Sequence, residues 1–278
     1  MIVVFGATGT IGKPLVAALL AKEAAVRAVT SNPKNLAALE AQGCTAVVAD
    51  FDDLEALARA CEGASKAFLV TPAHLDMRRW KANVIDAAVK AGVKHMVMST
   101  GLGASPKARL TFGIWHSESQ ELLKASGMDW TLIQPTYFMQ NLLWQAESIA
   151  KGVYLDDLGG PVSWVDARDI ADVAALALTS DGHAGEAYGL TGEQALSAED
   201  IVAHLNEVTT RNHPPEASRA DMIVAGMNPE VADAMVELAA LAPKGYLAGI
   251  ETTVQDILNR PARTLANFTA ENRIAFGG

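Results

Sequence analysis

The opening of the chain, Ile2-Val3-Val4-Phe5-Gly6-Ala7-Thr8-Gly9-Thr10-Ile11-Gly12, constrains the fold more than any other stretch. Four consecutive apolar, largely β-branched residues read as a buried strand, and the apolar periodicity from Ile11 onward reads as a helix. Between them the glycines fall at the spacing G-x-x-G-x-x-G. Each glycine has its own steric task. Gly6 permits a tight turn, Gly9 removes a Cβ where backbone must approach a phosphate, and Gly12 lets the helix lie close on the strand. The helix N-terminus adds unsatisfied N–H groups and the positive end of a dipole. Strand, turn and helix in this order predict a pyrophosphate cradle built from Gly6, Thr8, Gly9, Thr10, Ile11 and Gly12, with Thr8 and Thr10 able to add hydroxyl donors. A glycine turn with no ligand is the plain alternative, and the surrounding elements argue against it.

The same alternation continues. Short β-branched runs at 2–5, 25–29, 45–49, 66–70, 95–99 and 130–133 are separated by amphipathic stretches at 11–24, 35–41, 54–61, 77–91 and 116–126. Such a pattern predicts β-α-β units and an α/β fold with a Rossmann-type doubly wound parallel sheet. After Pro135 it loosens into helical stretches at 198–208, 221–225 and 230–240, with short strands expected at 162–164 and 187–190. The chain is therefore expected to hold a mainly dinucleotide-binding core over 1–190 and a small, mostly helical substrate lobe over 191–278, acting as one unit over 1–278.

Composition narrows the partners. Half of the 278 residues are hydrophobic, enough for a large core, yet no uninterrupted apolar stretch approaches the roughly 20 residues a bilayer-spanning helix needs. A net charge of −10 repels phosphate polymers and anionic lipid, so neither nucleic acid nor a membrane is the expected partner. Two cysteines, Cys44 and Cys61, make no disulfide framework, and no export signal is visible; a cytoplasmic location is the expectation. A homodimer is the reasonable prior for assembly.

Cofactor choice is read after the second strand, where an Asp or Glu binding the adenosine ribose 2′-hydroxyl marks an NAD enzyme. Here the chain reads Thr30-Ser31-Asn32-Pro33-Lys34. Ser31, Asn32 and Lys34 offer a hydroxyl, an amide and a cation for a 2′-phosphate, so NADP(H) is preferred and NAD(H) stays open. Lys34 as an ordinary solvated lysine at a helix start is the competing reading.

Beyond the cradle come Ala49-Asp50-Phe51-Asp52-Asp53, Phe68-Leu69-Val70-Thr71-Pro72, Ser99-Thr100 and His116-Ser117-Glu118. Trp130 to Asn141, Trp164-Val165-Asp166-Ala167-Arg168-Asp169-Ile170-Ala171, Tyr188 to Gly192 and Arg260-Pro261-Ala262-Arg263-Thr264 follow in order. Nearly end to end, these segments resemble the NmrA-like group of atypical short-chain dehydrogenases, near the bacterial quinone and dye reductases. The resemblance implies that Asp50 and Phe51 lie at the adenine. It implies that Val70, Thr71, Pro72, Ser99 and Thr100 run along the ribose and nicotinamide, and that Pro135, Thr136, Tyr137 and Phe138 close the nicotinamide end. Those segments follow the expected strand ends, where a doubly wound sheet binds its ligand. Ser31 departs from the family, which commonly carries an arginine there.

The proton relay of ordinary short-chain dehydrogenases, Tyr-x-x-x-Lys, is missing: none of Tyr137, Tyr154, Tyr188 and Tyr246 is followed by lysine four residues on. A nicotinamide carries the hard chemistry itself. Electron-poor conjugated acceptors such as quinones, azo dyes or aromatic carbonyl compounds give stabilised anions on hydride gain and tolerate protonation by solvent. His116, read as opening the helix after the fifth strand, and Tyr137, after the sixth, are the candidate catalytic groups. Each has an ordinary alternative, a backbone-bonded histidine and a packed tyrosine. Phe112, Trp115, Met139, Trp144 and Trp164 are candidate substrate walls, although any one of them is more commonly core. Asp169 reads as the cap of a helix starting at Ile170, with Arg168 pairing locally. No spacing suggests a metal site. An NAD(P)H-dependent oxidoreductase is the leading reading. A non-catalytic NADP(H) sensor regulating a partner protein, or an epimerase or lyase using bound NAD without net turnover, are the alternatives.

Overall fold

The structure, a computed structural model, describes residues 1–278. Its first half follows β1 (Ile2–Phe5), α1 (Gly12–Ala21), β2 (Val26–Thr30), α2 (Leu36–Glu40), β3 (Thr45–Val48), α3 (Leu54–Cys61), β4 (Lys66–Leu69), α4 (Met77–Lys90), β5 (His95–Ser99), α5 (Thr111–Lys124) and β6 (Asp129–Pro135). The second half runs α6 (Ala146–Ala150), β7 (Val153–Asp156), α7 (Ala167–Thr179), β8 (Glu186–Leu190), α8 (Ala198–Val202), β9 (Thr209–Asn212), α9 (Pro215–Val224), α10 (Pro229–Ala239), α11 (Thr253–Leu258) and α12 (Leu265–Glu271). Seven strands form one sheet in the order β3-β2-β1-β4-β5-β6-β8, the pairs from β3 to β6 all parallel. β1 lies between β2 and β4, so the order reverses beside it, and a doubly wound sheet opens its ligand crevice at such a reversal.

The chain forms two compact units. The first comprises residues 1–109, 113–134 and 170–188. Strand side chains of one sheet face, among them Val3, Phe5, Leu69, Met96 and Met98, pack with Leu57 and Cys61 of α3, Val84, Ile85 and Ala88 of α4, and Leu123 of α5. Burial on both faces explains why β1 and β5 are apolar without alternation. The second unit comprises 110–112, 135–169 and 189–278. Its core gathers Met139, Tyr154, Val162, Trp164, Ile201, Leu265 and Phe268. Residues 135–169 group with the C-terminal region, from the point at Pro135 where the alternation of the sequence loosens.

Two expectations change. The helix expected from His116 begins at Thr111, so His116 lies inside α5 rather than at its start. Gly113 and the β-branched Thr111 and Ile114 hide the first turn, because such residues are poor helix formers that tertiary packing overrides. The stretch 162–164 forms no strand: Val162 makes a single bridge with Leu196, and Val165 one with Phe138. No helix is long and apolar enough to cross a membrane.

Candidate active site

The opening turn is shaped by space that only glycine leaves. Gly6 takes φ +79°, and a Cβ there would stand 2.7 Å from Val70 Cγ1 and 2.8 Å from the Val70 carbonyl oxygen. A Cβ on Gly12 would lie 2.0 Å from the Gly6 carbonyl oxygen, so α1 is seated directly on the turn. Gly9 differs. It is exposed, its φ is ordinary, and a Cβ would meet only the Gly6 carbonyl oxygen at 3.3 Å. Packing therefore demands Gly6 and Gly12, while Gly9 keeps clear a space outside the protein. Beside it α1 starts with no side-chain cap and no acidic residue in its first turn, which leaves the positive helix end to an anion. Thr8 and Thr10 flank this space, Thr10 exposed and Ile11 buried beneath it.

At the end of β2, Thr30 Oγ1 accepts from the Asn32 backbone N–H at 3.2 Å and from Asn35 Nδ2 at 3.1 Å. Asn32 Oδ1 in turn accepts from the Lys34 backbone N–H at 3.0 Å, capping the short 3₁₀ turn Pro33–Asn35. Asn32 is therefore committed to shaping the loop, whereas Ser31 and Lys34 stand exposed. After β3, Asp50 Oδ1 accepts from the Asp52 backbone N–H at 2.9 Å. Asp53, not Asp50, caps α3 through Ala56 N–H at 2.9 Å. Phe51 stacks on Trp80 at 5.6 Å, and Trp80 on His74 at 4.4 Å. Asp52 ties the loop to α4 by accepting from Trp80 Nε1 at 3.1 Å and pairing with Arg79. Sequence reading singles out neither Trp80 nor His74, because nothing local joins them to Phe51.

Val70, Thr71 and Pro72 leave β4 beside the Gly6 turn. Thr71 Oγ1 is buried with no hydrogen-bond partner in the protein. An orphaned buried hydroxyl costs about 1–3 kcal/mol, and at a strand-end crevice it is a group awaiting a ligand. Together with the space kept by Gly9, it fits a bound dinucleotide. Ser99 and Thr100 are buried at the end of β5, where Thr100 Oγ1 accepts from Gln120 Nε2 at 3.0 Å.

Lys81 lies behind them. On α4 the buried positions Met77, Lys81, Val84, Ile85 and Ala88 form one stripe, and Lys81 occupies a place the 3.6 period reserves for an apolar residue. It is 1% exposed. Its Nζ donates to the Ser99 carbonyl oxygen at 3.3 Å and lies 3.4 Å from His116 Nδ1. Burial pulls the Lys81 ammonium down to about 7. Burial first, then the Lys81 charge, hold His116 well below the ordinary imidazole range. The sequence signal for Lys81 was available, a lone cation on the inner stripe of an amphipathic helix, but reading the stripe alone does not show what the cation meets.

Within the second unit, Tyr137 packs edge-on against Trp164 at 5.7 Å. Burial, and then Asp157, push its phenol up, so it is a neutral hydroxyl at ordinary pH. The Thr136 hydroxyl donates to the Ser163 carbonyl oxygen, Pro135 is buried, and the Phe138 carbonyl oxygen accepts from Asn141 N–H at 3.0 Å. Met139 and Trp164 belong to that unit's core, and Phe112 is 8% exposed. Trp115 carries Arg78 over its ring at 5.7 Å. Trp144 departs from the wall expected of it: at 73% exposed, its ring stands in solvent. Asp169 is no simple cap either, since α7 begins two residues earlier at Ala167. Fully buried, Asp169 accepts from Arg260 Nη2 and the Arg263 backbone N–H, each at 2.7 Å, and pairs with the Arg263 side chain. Arg168 pairs locally as expected, with Asp166 at 2.6 Å, and also reaches Glu271 at 2.6 Å.

The NAD(P)H-binding family matches residues 6–181. An NAD(P)H azoreductase of Xenophilus azovorans is 43% identical over 284 residues, covering 100% of this chain and 99% of that protein. Quinone oxidoreductase 2 of Escherichia coli is 30% identical over 96% of both chains. The NADPH complex of the Escherichia coli NADPH-dependent quinone oxidoreductase superposes with TM-score 0.86 at 29% identity, covering 98% of this chain and 99% of that one. The fold is shared too by Citrobacter triphenylmethane reductase, at TM-score 0.84 and 22% identity over 97% and 99% of the two chains. With the family match over more than half the chain and relatives aligned across nearly all of it, this protein belongs to the NAD(P)H-binding, NmrA-like atypical short-chain dehydrogenases/reductases.

Proposed function

We propose that the protein is an NAD(P)H-dependent reductase that passes a hydride to a small, electron-poor conjugated acceptor of the quinone or azo class. The observation that carries this reading is the extent of the likeness to the azoreductase. It spans both compact units, whereas a cradle alone would serve a cofactor sensor equally well. Reduced nicotinamide, when bound, supplies the hydride.

The chain's own residues have narrower tasks. Gly6, Gly9 and Gly12, with Thr8, Thr10 and Ile11, hold the pyrophosphate at the helix end. Asp50 and Phe51 bound the adenine, and Ser31 and Lys34 favour NADP(H) by meeting the 2′-phosphate, with Asn32 fixing their loop. Val70, Thr71, Pro72, Ser99 and Thr100 line the ribose and nicotinamide, the Thr71 hydroxyl gaining there the partner it lacks within the protein. Pro135, Thr136 and Phe138 bound the nicotinamide end. Phe112, Trp115, Met139 and Trp164 serve as apolar wall, and Tyr137 offers a neutral hydroxyl to the acceptor. His116 gives the proton that follows the hydride.

Anaerobic NADPH oxidation against a panel of quinones, azo dyes and aromatic aldehydes tests the reading, with one reduced quinone expected per NADPH consumed. Tight NADPH binding with no oxidation by any acceptor overturns it in favour of a sensor.

A further inference from the structure

We propose that Lys81 sets the tautomer of His116 and resupplies its proton: its ammonium donates to Nδ1 of His116, fixing the imidazole proton on Nε2, the edge that faces Gly101 beyond β5. This rests on the reductase reading above and deepens it. An ammonium has three donors and no acceptor, so a charged Lys81 meets an imidazole nitrogen only through that nitrogen's lone pair. The contact at 3.4 Å is to Nδ1, so a charged Lys81 leaves the ring proton to Nε2. A Cβ on Gly101 would stand 3.1 Å from His116 Cδ2 and 3.4 Å from Nε2. The donor edge therefore lies against the residue that follows Thr100, at the carboxyl end of the sheet, and glycine at 101 is what leaves it room.

The charged side chains flanking the pair on α4 and α5 are engaged with one another. The charge acting on His116 is that of Lys81, and burial alone shifts Lys81. On the outer sides of α4 and α5, Arg78 and Glu118 pair with each other at 2.6 Å. Arg79 is held by Asp52 and Asp76. On β5, His95 bonds Thr131 through Nε2 at 2.8 Å. A cation buried on the inner stripe of a helix, with a backbone carbonyl and an imidazole nitrogen as partners, is otherwise an expense without return.

The step balances as follows. The acceptor gains a hydride from the reduced dinucleotide and a proton from His116 Nε2. As that N–H bond breaks, Lys81 Nζ passes a proton to Nδ1, leaving the other neutral tautomer and a neutral amine. Water then returns one proton to Nε2 while the Nδ1 proton goes back to Nζ. Each turnover thus consumes one hydride and one solvent proton, and Lys81 needs no solvent access of its own.

Lys81→Met is the decisive variant, read by single-turnover quinone reduction in the NADPH complex. The expected result is a loss of about 10- to 100-fold at pH 6, part of the roughly 10²–10⁴-fold a positioned acid supplies, with NADPH affinity unchanged. In the wild type the rate falls as pH rises through 7 and Lys81 loses its charge; the variant lacks this limb, which a merely structural role would not remove. Lys81→Arg keeps a donor to Nδ1 but does not release a proton, so it restores the tautomer without restoring the rate. Should Lys81→Met fail to fold, ¹⁵N NMR of wild-type imidazoles, with His116 assigned by its loss in His116→Gln, decides the point. Below pH 7 the proton is expected on Nε2, and finding it on Nδ1 overturns the proposal. A folded Lys81→Met that reduces quinone at the wild-type rate and profile also overturns it, while leaving the reductase reading intact. A wild type that turns over no acceptor sinks that reading and the catalytic role of Lys81 together.

Discussion

A lysine where helix periodicity calls for an apolar side chain must register in the pH dependence of folding. Lys81 has its ammonium lowered from 10.5 to about 7 by burial. Between those values the unfolded chain binds a proton that the folded chain releases, so stability rises with pH across that window, by up to about 1.4 kcal/mol per pH unit. Above pH 9 Cys61, whose thiol burial pushes up to about 11, acts in the opposite sense, so the clean interval is pH 7 to 9. Lys81→Met is expected to raise the denaturant midpoint at pH 7 and flatten the rise toward pH 9. A parallel slope in wild type and variant would show that the buried amine carries no such linkage. Lys34 tests a milder effect: Lys34→Ala should weaken NADPH binding by about 2- to 5-fold, in keeping with an exposed charge on a phosphate, and leave NADH binding unchanged. Equal losses for both dinucleotides in a titration would remove Lys34 from cofactor choice. At this scale the sequence is legible where a residue's task is local. Gly6, Gly9 and Gly12 declare themselves. Lys81, Trp80 and His74 do not, because each takes its meaning from a partner on another element.

Among elements, β1, its turn and α1 form the most sharply specified piece, and its glycines separate folding from binding. Gly12→Ala places a Cβ 2.0 Å from the Gly6 carbonyl oxygen, so backbone must move. A loss of about 1–3 kcal/mol is expected in chemical denaturation. Gly9→Asp meets nothing nearer than that same oxygen at 3.3 Å and should fold with a near-wild-type melting temperature. It should nevertheless lose NADPH binding by at least about 100-fold, since it sets a carboxylate where phosphate oxygens approach. NADPH titrating a folded Gly9→Asp as it does the wild type would defeat the cradle assignment. Strands β1, β3, β4 and β5 were legible as short β-branched or apolar runs between amphipathic stretches, with ends shifted by no more than a residue. Helix α5 was legible only from its middle, because the weak helix formers at 111–114 are held by position rather than propensity. That early start matters chemically: it puts His116 on the second turn of α5, within reach of α4.

For the molecule as a whole, what local pattern does not reveal is which distant segments share a core. The pairing of β7 with β9 joins Val153–Asp156 to Thr209–Asn212, two four-residue runs of which the first is too short and the second too polar to announce a strand. Asp169 likewise reads as a helix cap until Arg260 and Arg263, about ninety residues away, are seen to close on it. These contacts lie within the second unit and fasten the end of the chain to the start of α7. Asp169 is fully buried while the two arginines are 34% and 30% exposed, so the charge that loses most on separation is the carboxylate. Asp169→Asn keeps the shape, halves the acceptor capacity and removes the negative charge that both guanidinium groups meet there. It should cost about 2–4 kcal/mol, toward the lower end of a broken buried pair because water reaches both guanidinium groups. Arg260→Ala should cost less, Arg263 remaining in place. Adding Arg263→Met to Asp169→Asn should cost less than the sum of the two single changes, since the ion pair that each removes is lost only once. Denaturation of the full chain measures all four variants, and strictly additive losses would show that Asp169 acts as a helix-start residue after all, with the arginines as bystanders.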